Sequence, residues 1–242
     1  MESLLERWRG AGQGWSQLIC DPLLEVAFGH LEPAVGPGSV VLDLGCGWGH
    51  VAGVFADSGC HAVGLDPDGE MLRTTGERHP RVARLRGTAE SIPLATGSVD
   101  ALFSLSVLQY TDRAAALAEC RRVLRPGGRF AIVENLRGNP VALAYRAAKR
   151  VTGSDYPAHM RPAEHLAWGG REVYTSVFSR VDFTPMHLAA PALLALPAGA
   201  RGPDRRRAPT PWMRMVHGVD RALLRVPALR HAAWCVVACG VR

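Results

Sequence analysis

The feature that most constrains the fold of this chain is the alternation of short apolar runs with amphipathic segments between residues 39 and 134. The first run, Val40–Leu42, has no polar interruption, which is typical of a strand buried on both faces of a parallel sheet. The predicted strands are 39–42, 61–65, 81–85, 100–104 and 129–134, and the predicted helices are 51–56, 70–78 and 114–124. This order predicts an α/β fold with a doubly wound, Rossmann-like sheet and helices on both faces.

The flanking segments complete the predicted architecture. Residues 1–35 are expected to form two helical pieces, the second capped by Asp21 with Pro22 as its first residue. The remaining predicted elements are a helix over 140–151, a strand over 177–188 interrupted by Pro185, a loop over 196–211, a helix over 212–224 and a strand over 232–241. The sheet is therefore expected to have seven strands, mostly parallel, with one antiparallel C-terminal strand.

Composition indicates an ordinary globular protein. The chain has 242 residues, of which 48% are hydrophobic and 21% charged, and this suits a single domain with a sizeable core. Its first ten residues carry mixed charges and no apolar segment of a signal peptide, and no apolar run approaches the roughly 20 residues of a membrane helix. We therefore expect a cytoplasmic protein without a membrane span, either a monomer or a homodimer.

The net charge of +6 is unevenly distributed along the chain. Residues 1–100 carry 7 Arg and 13 Asp or Glu, whereas the remainder carries 21 Lys or Arg and 9 Asp or Glu. The arginines are scattered except at Arg205–Arg207, and no aromatic residues are interleaved with them. A solvated basic face is therefore favoured over a nucleic-acid-binding stripe, and no nucleic-acid partner is expected.

The cysteines do not predict a metal centre. The chain has six of them, and Cys235 and Cys239 stand four apart with no matching pair or histidine cluster elsewhere. We expect free, mostly buried thiols and no bound metal.

The strongest motif is the glycine-rich turn after the first strand, Gly45-Cys46-Gly47-Trp48-Gly49. Glycines at alternate positions let the backbone bend sharply and let a ligand lie against main-chain atoms. His50 stands where the dinucleotide fingerprint requires a small residue, so a dehydrogenase is disfavoured. Asp43, two residues before the first glycine, can hold the turn and favours a cationic ligand group nearby.

A second motif, Gly64-Leu65-Asp66-Pro67-Asp68, ends the second strand. Asp66 follows Gly45 by 21 residues, where a carboxylate accepts hydrogen bonds from two ribose hydroxyls. Either Asp66 or Asp68 can also cap the next helix, and both roles can hold, with Asp66 on a ribose and Asp68 as the cap.

Together with the runs 87–90, 104–108 and 124–128, these motifs resemble the class I S-adenosylmethionine-dependent methyltransferases, in particular the broad group that includes quinone-biosynthesis enzymes. The resemblance covers about residues 39–136. It implies S-adenosylmethionine as cofactor, S-adenosylhomocysteine as product and a small-molecule substrate. The implied cofactor-binding residues are Asp43, Gly45, Cys46, Gly47, Gly49, Asp66, Pro67, Thr88, Ala89, Glu90 and Leu105.

Within this resemblance the implied roles differ. The turn Gly45–Gly49 contacts the methionine part, Asp66 holds the ribose, Ala89 and Glu90 line the adenine pocket, and Leu105 backs the cofactor. Many relatives have Asp where this chain has Thr88, whose hydroxyl can still accept one hydrogen bond.

The resemblance also divides the single domain into four functional segments. These are an N-terminal helical cover (1–35), a cofactor-binding core (36–136), a variable substrate cover (137–175) and C-terminal strands with a helix (176–242).

A general base is required only if the methyl acceptor must first lose a proton. Candidates follow the fourth and fifth strands or lie in the variable segment: Gln109, Tyr110, Glu134, Asn135, Tyr156, His159, Arg161 and His165. We rank His159, Glu134 and Tyr110 first as catalytic residues, although each can instead serve packing, pairing or solvation.

The acceptor is expected to be an apolar or aromatic compound, such as a secondary metabolite or a quinone. The residues that can line its pocket are Trp8, Trp15, Phe28, Trp168, Tyr174, Trp212 and the Met213–Met215 pair, although core packing explains them equally well.

Two rival hypotheses remain. The fold can serve without methyl transfer, as a cyclase-like scaffold or a cofactor-binding partner protein. A nucleic-acid methyltransferase is disfavoured, because the segment Ser104–Val107 lacks the Asn/Asp-Pro-Pro-aromatic run of enzymes that methylate base amines.

Overall fold

The computed structural model describes residues 2–11, 17–151, 165–190 and 211–242. They form a seven-stranded sheet in the order β3-β2-β1-β4-β5-β7-β6. The strands are β1 Val40–Leu44, β2 His61–Asp66, β3 Ala83–Arg86, β4 Val99–Leu105, β5 Leu124–Asn135, β6 Val181–Met186 and β7 Cys235–Val241. Strands β1 to β5 are parallel and β7 is antiparallel to both β5 and β6. The predicted fold class is confirmed.

The helices are α1 Leu4–Gly10, α2 Gln17–Leu31, α3 His50–Asp57, α4 Gly69–Arg78, α5 Arg113–Val123, α6 Pro140–Val151, α7 Glu172–Thr175 and α8 Pro211–Leu223. They cover both faces of the sheet. One core packs α2 and α3 on the sheet through Phe28, Phe55 and Phe103, whose rings make edge and tilted contacts. The other core packs α5 and α7 on the opposite face, around Phe130 and Tyr174.

The order of the strands fixes where a ligand can bind. Strand β1 lies between β2 and β4, with Leu42 opposite Val63 on one side and Leu102 on the other. The chain runs from β1 to β2 on one side of β1 and later returns as β4 on its other side. The connections after β1 and β4 therefore leave the sheet on different sides, with a gap outside the carboxyl ends of these two strands. That gap is the switch point where open α/β sheets bind ligands.

The predicted start of the second helix is wrong. Helix α2 begins at Gln17, so Asp21 and Pro22 lie inside it. The buried Asp21 carboxylate instead accepts hydrogen bonds from Trp8 Nε1 at 3.1 Å and Arg9 Nε at 2.7 Å. Asp21 therefore ties α1 to α2 rather than capping a helix, because these partners in α1 satisfy its carboxylate.

The end of α5 also differs from the prediction. The prediction places its end at residue 124, whereas the helix ends at Val123 and Leu124 is already extended as the first residue of β5. The register against β4 shifts between Val99, opposite Leu124, and Ala101, opposite Arg129. The intervening residues, which include Gly127 with φ 77°, bulge from the strand instead of forming a separate turn.

Strand β6 shows why a proline is tolerated near the C-terminus. It lies at the edge of the sheet, with Pro185 opposite Val236 of β7. A proline that cannot donate a ladder hydrogen bond is acceptable on an edge strand.

The predicted loop 196–211 falls largely outside the described residues, and its last residue, Pro211, already belongs to α8. Within the described part of the chain, no helix is both long and apolar enough to cross a bilayer.

A buried histidine pair joins the N-terminal helices to the C-terminal elements. His187 follows β6 with φ 62°, and its Nε2 lies 2.8 Å from the Ile19 carbonyl oxygen in α2. Since a carbonyl only accepts, Nε2 carries the proton and the buried Nδ1 has no partner among the described residues. The ring of His217 in α8 lies 5.7 Å away between centroids, and Asp220 accepts backbone hydrogen bonds from Leu188, Ala189 and Ala190. Burial lowers the pKa of His187 to about 4.

This burial predicts a loss of stability in acid. An unfolded histidine has a pKa of about 6.5, so the stabilisation is complete above pH 6.5 and is lost as the pH falls towards 4, by roughly 3 kcal/mol for His187. Asn at position 187 tolerates the left-handed φ, can donate to Ile19 and does not titrate. We expect His187→Asn to flatten the decline of the melting temperature between pH 7 and 4.5, measured by differential scanning fluorimetry. The exposed His61→Asn serves as control, and parallel curves for His187→Asn and wild type would contradict this account.

Candidate active site

The turn after β1 forms the floor of the candidate site. Gly45, Gly47 and Gly49 all have positive φ, at 72°, 51° and 75°, which residues with a Cβ rarely adopt. The backbone N–H groups of Gly45 and Cys46 donate to the Leu65 carbonyl at 2.8 and 3.0 Å. The turn is thereby fixed against the end of β2.

The three glycines have different surroundings. A Cβ on Gly45 would lie 2.2 Å from Val107 Cγ2, and one on Gly49 would lie 2.4 Å from Thr75 Cγ2. A Cβ on Gly47 would meet nothing within 4 Å. Gly45 and Gly49 therefore let neighbouring elements pack closely, whereas Gly47 borders open space.

Asp66 holds the peptide groups around Gly47. Its Oδ2 accepts the Gly47 N–H at 2.9 Å, and its Oδ1 accepts the Asp68 N–H at 2.9 Å. On the other side, the Thr75 hydroxyl donates to the Gly47 carbonyl at 2.8 Å. Asp68 accepts from the backbone N–H groups of Glu70 and Met71, which confirms it as the cap of α4. Asp66 is half-buried at the edge of the turn.

Two further predicted residues have buried side chains at the turn, Asp43 before it and Cys46 within it. Asp43 is buried, and its Oδ2 accepts the Ala52 N–H at 2.9 Å, which anchors the start of α3. Burial raises the pKa of Asp43 to about 7. Burial also raises the pKa of the Cys46 thiol, whose sulfur lies over Gly64, so Cys46 is a packing residue in this structure rather than a thiolate.

The loop after β3 contacts the loop after β4. Ala89 is buried, Thr88 is exposed, and Glu90 Oε1 accepts the Asp112 N–H at 3.0 Å. Leu105 is half-buried against the α2–α3 core, and the exposed Pro67 accepts a hydrogen bond from Arg86 through its carbonyl. The predicted cofactor residues therefore lie at the carboxyl ends of β1, β2 and β4 or on the loops after β1, β2 and β3.

A small polar network lies where β4 and β5 end. Ser106 has a positive φ of 59°, and Asn135 Nδ2 donates to its hydroxyl at 3.2 Å and to Gln109 Oε1 at 3.1 Å. Gln109 Nε2 donates back to the Ser106 carbonyl at 3.1 Å. A non-glycine residue with positive φ at such a position stores strain that the network holds in place. Gln109 and Asn135 rank below the first three catalytic candidates in the sequence analysis. Nothing in the sequence indicates that their side chains are hydrogen-bonded to each other.

Glu134 lies on the other face of the sheet, in a buried ion pair. Arg113 donates to both of its carboxylate oxygens, at 2.9, 3.2 and 3.0 Å, and the Tyr174 hydroxyl donates to Oε1 at 2.5 Å. Burial and the Glu134 carboxylate raise the pKa of Tyr174 well above its ordinary value, so the hydroxyl keeps its proton. This geometry opposes the expectation that Glu134 is a base, because three donors already hold its carboxylate away from solvent.

The other candidate catalytic residues lie in different parts of the chain. Tyr110 is 41% exposed in a short 3₁₀ turn after β4, at the same edge as the glycine turn. His159, with Tyr156 and Arg161, lies outside the described residues, and so does Trp15. His165 is half-buried and lines a cavity of about 460 Å³ beside Arg113 and Arg137.

The aromatic residues expected to line one acceptor pocket are distributed between the two cores. Trp8 and Phe28 are buried in the core around α2, and Trp212 packs against it. Trp168 and Tyr174 are buried in the core on the opposite face. Met215 is 65% exposed on α8. Since the sheet separates these groups, core packing accounts for most of them.

No group of three or more metal-ligating side chains occurs among the residues that the structure describes.

Comparison with known proteins gives the family. Residues 42–132 match the model of the methyltransferase domain family. A malonyl-[acyl-carrier protein] O-methyltransferase of Methylococcus capsulatus is 34% identical over 193 residues, which cover 74% of this chain and 67% of that protein. An uncharacterized methyltransferase of Mycobacterium tuberculosis is 43% identical over 97 residues, so the chain spans only 40% of the length of that relative.

Solved structures show the same fold. A geranyl diphosphate methyltransferase in complex with S-adenosylmethionine superposes with a TM-score of 0.61 at 18% identity, covering 96% of this chain and 92% of that one. The [4+2]-cyclase SpnF superposes with a TM-score of 0.54 at 19% identity, covering 92% and 79%. With the glycine turn and the sheet order described above, the chain belongs to the class I S-adenosylmethionine-dependent methyltransferases.

The geometry of Glu134 predicts the effect of its substitution. Glu134→Gln leaves the buried Arg113 without its counter-charge and should lower the free energy of unfolding by about 3 kcal/mol, whereas Tyr174→Phe removes one hydrogen bond and should cost about 1–2 kcal/mol. Urea denaturation of both variants and of the double variant measures these costs, and the double variant should cost less than the sum. Unchanged stability of Glu134→Gln together with lost activity would instead identify a catalytic carboxylate.

Proposed function

We propose that this protein transfers a methyl group from S-adenosylmethionine to a small-molecule acceptor. The observation that supports this most strongly is the open space over Gly47, bordered by the carboxylate of Asp66. An accessible main-chain surface next to a carboxylate suits a nucleoside with an extended amino-acid part, because the carboxylate can accept from ribose hydroxyls. The residues present therefore fit the cofactor that the family uses.

In this proposal the ends of the first four strands and the loops that follow them contact different parts of the cofactor. Asp66 accepts from the ribose hydroxyls while it keeps its hydrogen bonds to the Gly47 and Asp68 peptides, since a carboxylate has about four acceptor positions. The methionine part lies along Gly45–Gly49, with Asp43 and Cys46 supporting that turn from below. Pro67, Thr88, Ala89, Glu90 and Leu105 border the adenine and ribose.

S-adenosylmethionine supplies a methyl group that its sulfonium already activates, so the chain's main contribution is alignment. The loop after β4 suits that task, because the network of Ser106, Gln109 and Asn135 fixes the backbone at the edge where the acceptor must approach. Tyr110, exposed at the same edge, is the described side chain that we propose to contact the acceptor and to exchange a proton with it. His159 stays a predicted base.

The acceptor class is proposed as a small apolar or aromatic compound, such as a secondary metabolite. Among the similar proteins, one acts on geranyl diphosphate by its name and another on a malonyl group carried by a protein. These names indicate that the fold accommodates chemically different acceptors, so they do not identify the acceptor of this chain. The cytoplasmic location, the absence of a nucleic-acid partner and a monomeric or homodimeric state stay predictions.

A second candidate function uses the same fold without methyl transfer. The superposition on a [4+2]-cyclase shows that the fold is compatible with cyclase chemistry, and the exposed Thr88 in place of an adenine-binding Asp is consistent with a changed cofactor role. In that case the protein binds S-adenosylmethionine but never releases S-adenosylhomocysteine, whichever acceptor is supplied.

Substitution of Gly47 tests the cofactor site. Gly47→Arg fills the open space and should abolish S-adenosylmethionine binding in isothermal titration calorimetry. The matched control is Gly38→Arg, because Gly38 also has a positive φ, of 84°, with nothing within 4 Å, but lies before β1 at the opposite edge of the sheet. Both variants carry a similar backbone strain of about 1–2 kcal/mol. Equal binding by the two would contradict the proposed site.

Substitution of the two neighbouring aspartates tests the ribose contact. Asp66→Ala should weaken binding of both S-adenosylmethionine and S-adenosylhomocysteine by about tenfold or more, because it removes acceptors for the ribose and for the Gly47 peptide. Asp68→Ala removes only the cap of α4 and should change the affinity little. Calorimetry on both variants decides the point, and a larger effect of Asp68→Ala would exclude Asp66 as the ribose ligand.

A further inference from the structure

The 460 Å³ cavity beside α5 has an unusual charge. Its lining among the described residues is Arg113, Arg137, His165, Leu166, Ala167, Gly169, Gly170 and Val173, which includes two arginines, one histidine and no carboxylate. The volume is within the range of small-molecule sites. The described lining therefore carries positive charge and no negative side chain, and such a lining favours an anion.

Arg113 is held in a fixed position at this cavity. Its side chain is only 12% exposed, and its bonds to Glu134 set the plane of the guanidinium. Glu134 is in turn held by the Tyr174 hydroxyl. Two of its donor atoms, Nε and Nη2, already donate to Glu134. Arg113 and its ion pair therefore form a rigid part of the cavity wall.

Arg137 supplies the second positive charge. It follows β5, and its backbone N–H donates to the Leu166 carbonyl at 3.1 Å, so the chain at 165–167 runs alongside it. Its side chain is exposed and has no carboxylate partner in the described part of the chain. The ion pair with Glu134 offsets the charge of Arg113, so Arg137 carries most of the net charge of the cavity.

The cavity is connected to the glycine turn by a single loop. Val107 packs on Gly45, and the chain continues through the turn Leu108–Tyr110 to Asp112, which caps α5, and to Arg113, its first residue. Arg137 follows the end of β5, so the cavity lies at the same carboxyl edge of the sheet as the glycine turn after β1.

We infer that the cavity binds an oxyanion group, a carboxylate or a phosphate, of the methyl acceptor. Arg137 makes the charged contact with the anion, which responds to ionic strength, and the Arg113–Glu134 ion pair keeps the adjoining wall rigid. The identification of the ligand as the methyl acceptor rests on the proposed function. The anion site itself does not depend on whether methyl transfer occurs. It narrows the substrate class from an apolar compound to one with an apolar body and an anionic end.

Calorimetry with two simple probes, inorganic diphosphate and malonate, tests the site on the protein without cofactor. We expect at least one probe to bind the wild type and Arg137→Gln to weaken it by about tenfold, with weaker binding at high salt. The control is Arg180→Gln, because Arg180 is also exposed but precedes β6 at the opposite edge of the sheet. Preference for diphosphate or for malonate distinguishes a phosphate from a carboxylate as the natural group.

The same samples separate this inference from the proposed function. If neither probe binds, or if Arg137→Gln and Arg180→Gln lose affinity equally, the anion site is overturned even when S-adenosylmethionine binds. If the probes bind and depend on Arg137 while S-adenosylmethionine does not bind, the anion site stands and the proposed methyl transfer fails.

Discussion

The close packing of the glycine turn after β1 is the constraint on which the rest of the site depends. Neither Gly45 nor Gly49 has room for a Cβ, because Val107 and Thr75 occupy that space. These contacts bring the loop after β4 and helix α4 against the turn, and Asp66 and Thr75 hold the peptide groups of Gly47 from two sides. Of the three glycines in the turn, only Gly47 faces open space, so the packing that builds the turn also leaves open the surface at which we propose that the cofactor binds.

The last two residues of β5, Glu134 and Asn135, take part in different side-chain networks on the two faces of the sheet. Successive side chains of a strand point to opposite faces. Glu134 therefore turns to the face with α5, where it supports Arg113, while Asn135 turns to the other face and fixes Ser106 and Gln109. The end of β5 thus supports both the proposed anion site and the loop after β4, which borders the proposed cofactor site, and the short loop from Val107 to Arg113 connects them.

Much of the fold could be predicted from the sequence, because the relevant signals are local. The uninterrupted apolar run at Val40–Leu42, the glycines after it and the acidic residue at the end of β2 lie in short stretches whose geometry depends on neighbours along the chain. The interpretation of Asp21 as a cap was wrong, because its partners Trp8 and Arg9 lie in another helix. The bulge at the start of β5 depends on pairing with β4, which no local pattern reports.

The roles of individual site residues were harder to predict for the same reason. Glu134 has the position of a candidate base in the sequence, but its partners Arg113 and Tyr174 lie 21 and 40 residues away. The pairing of Gln109 with Asn135 spans 26 residues, and the buried His187 is held by Ile19 at a separation of 168. Aromatic residues such as Phe28 and Tyr174 suggested one pocket, although the sheet places them in different cores.

A crystal structure of the protein with S-adenosylhomocysteine tests the central claim most directly. The account predicts the ribose hydroxyls on the Asp66 carboxylate, the homocysteine part against the main chain at Gly47, and the contacts of Gly45 with Val107 unchanged. S-adenosylhomocysteine bound elsewhere on the protein, or with its ribose turned away from Asp66, would contradict the account.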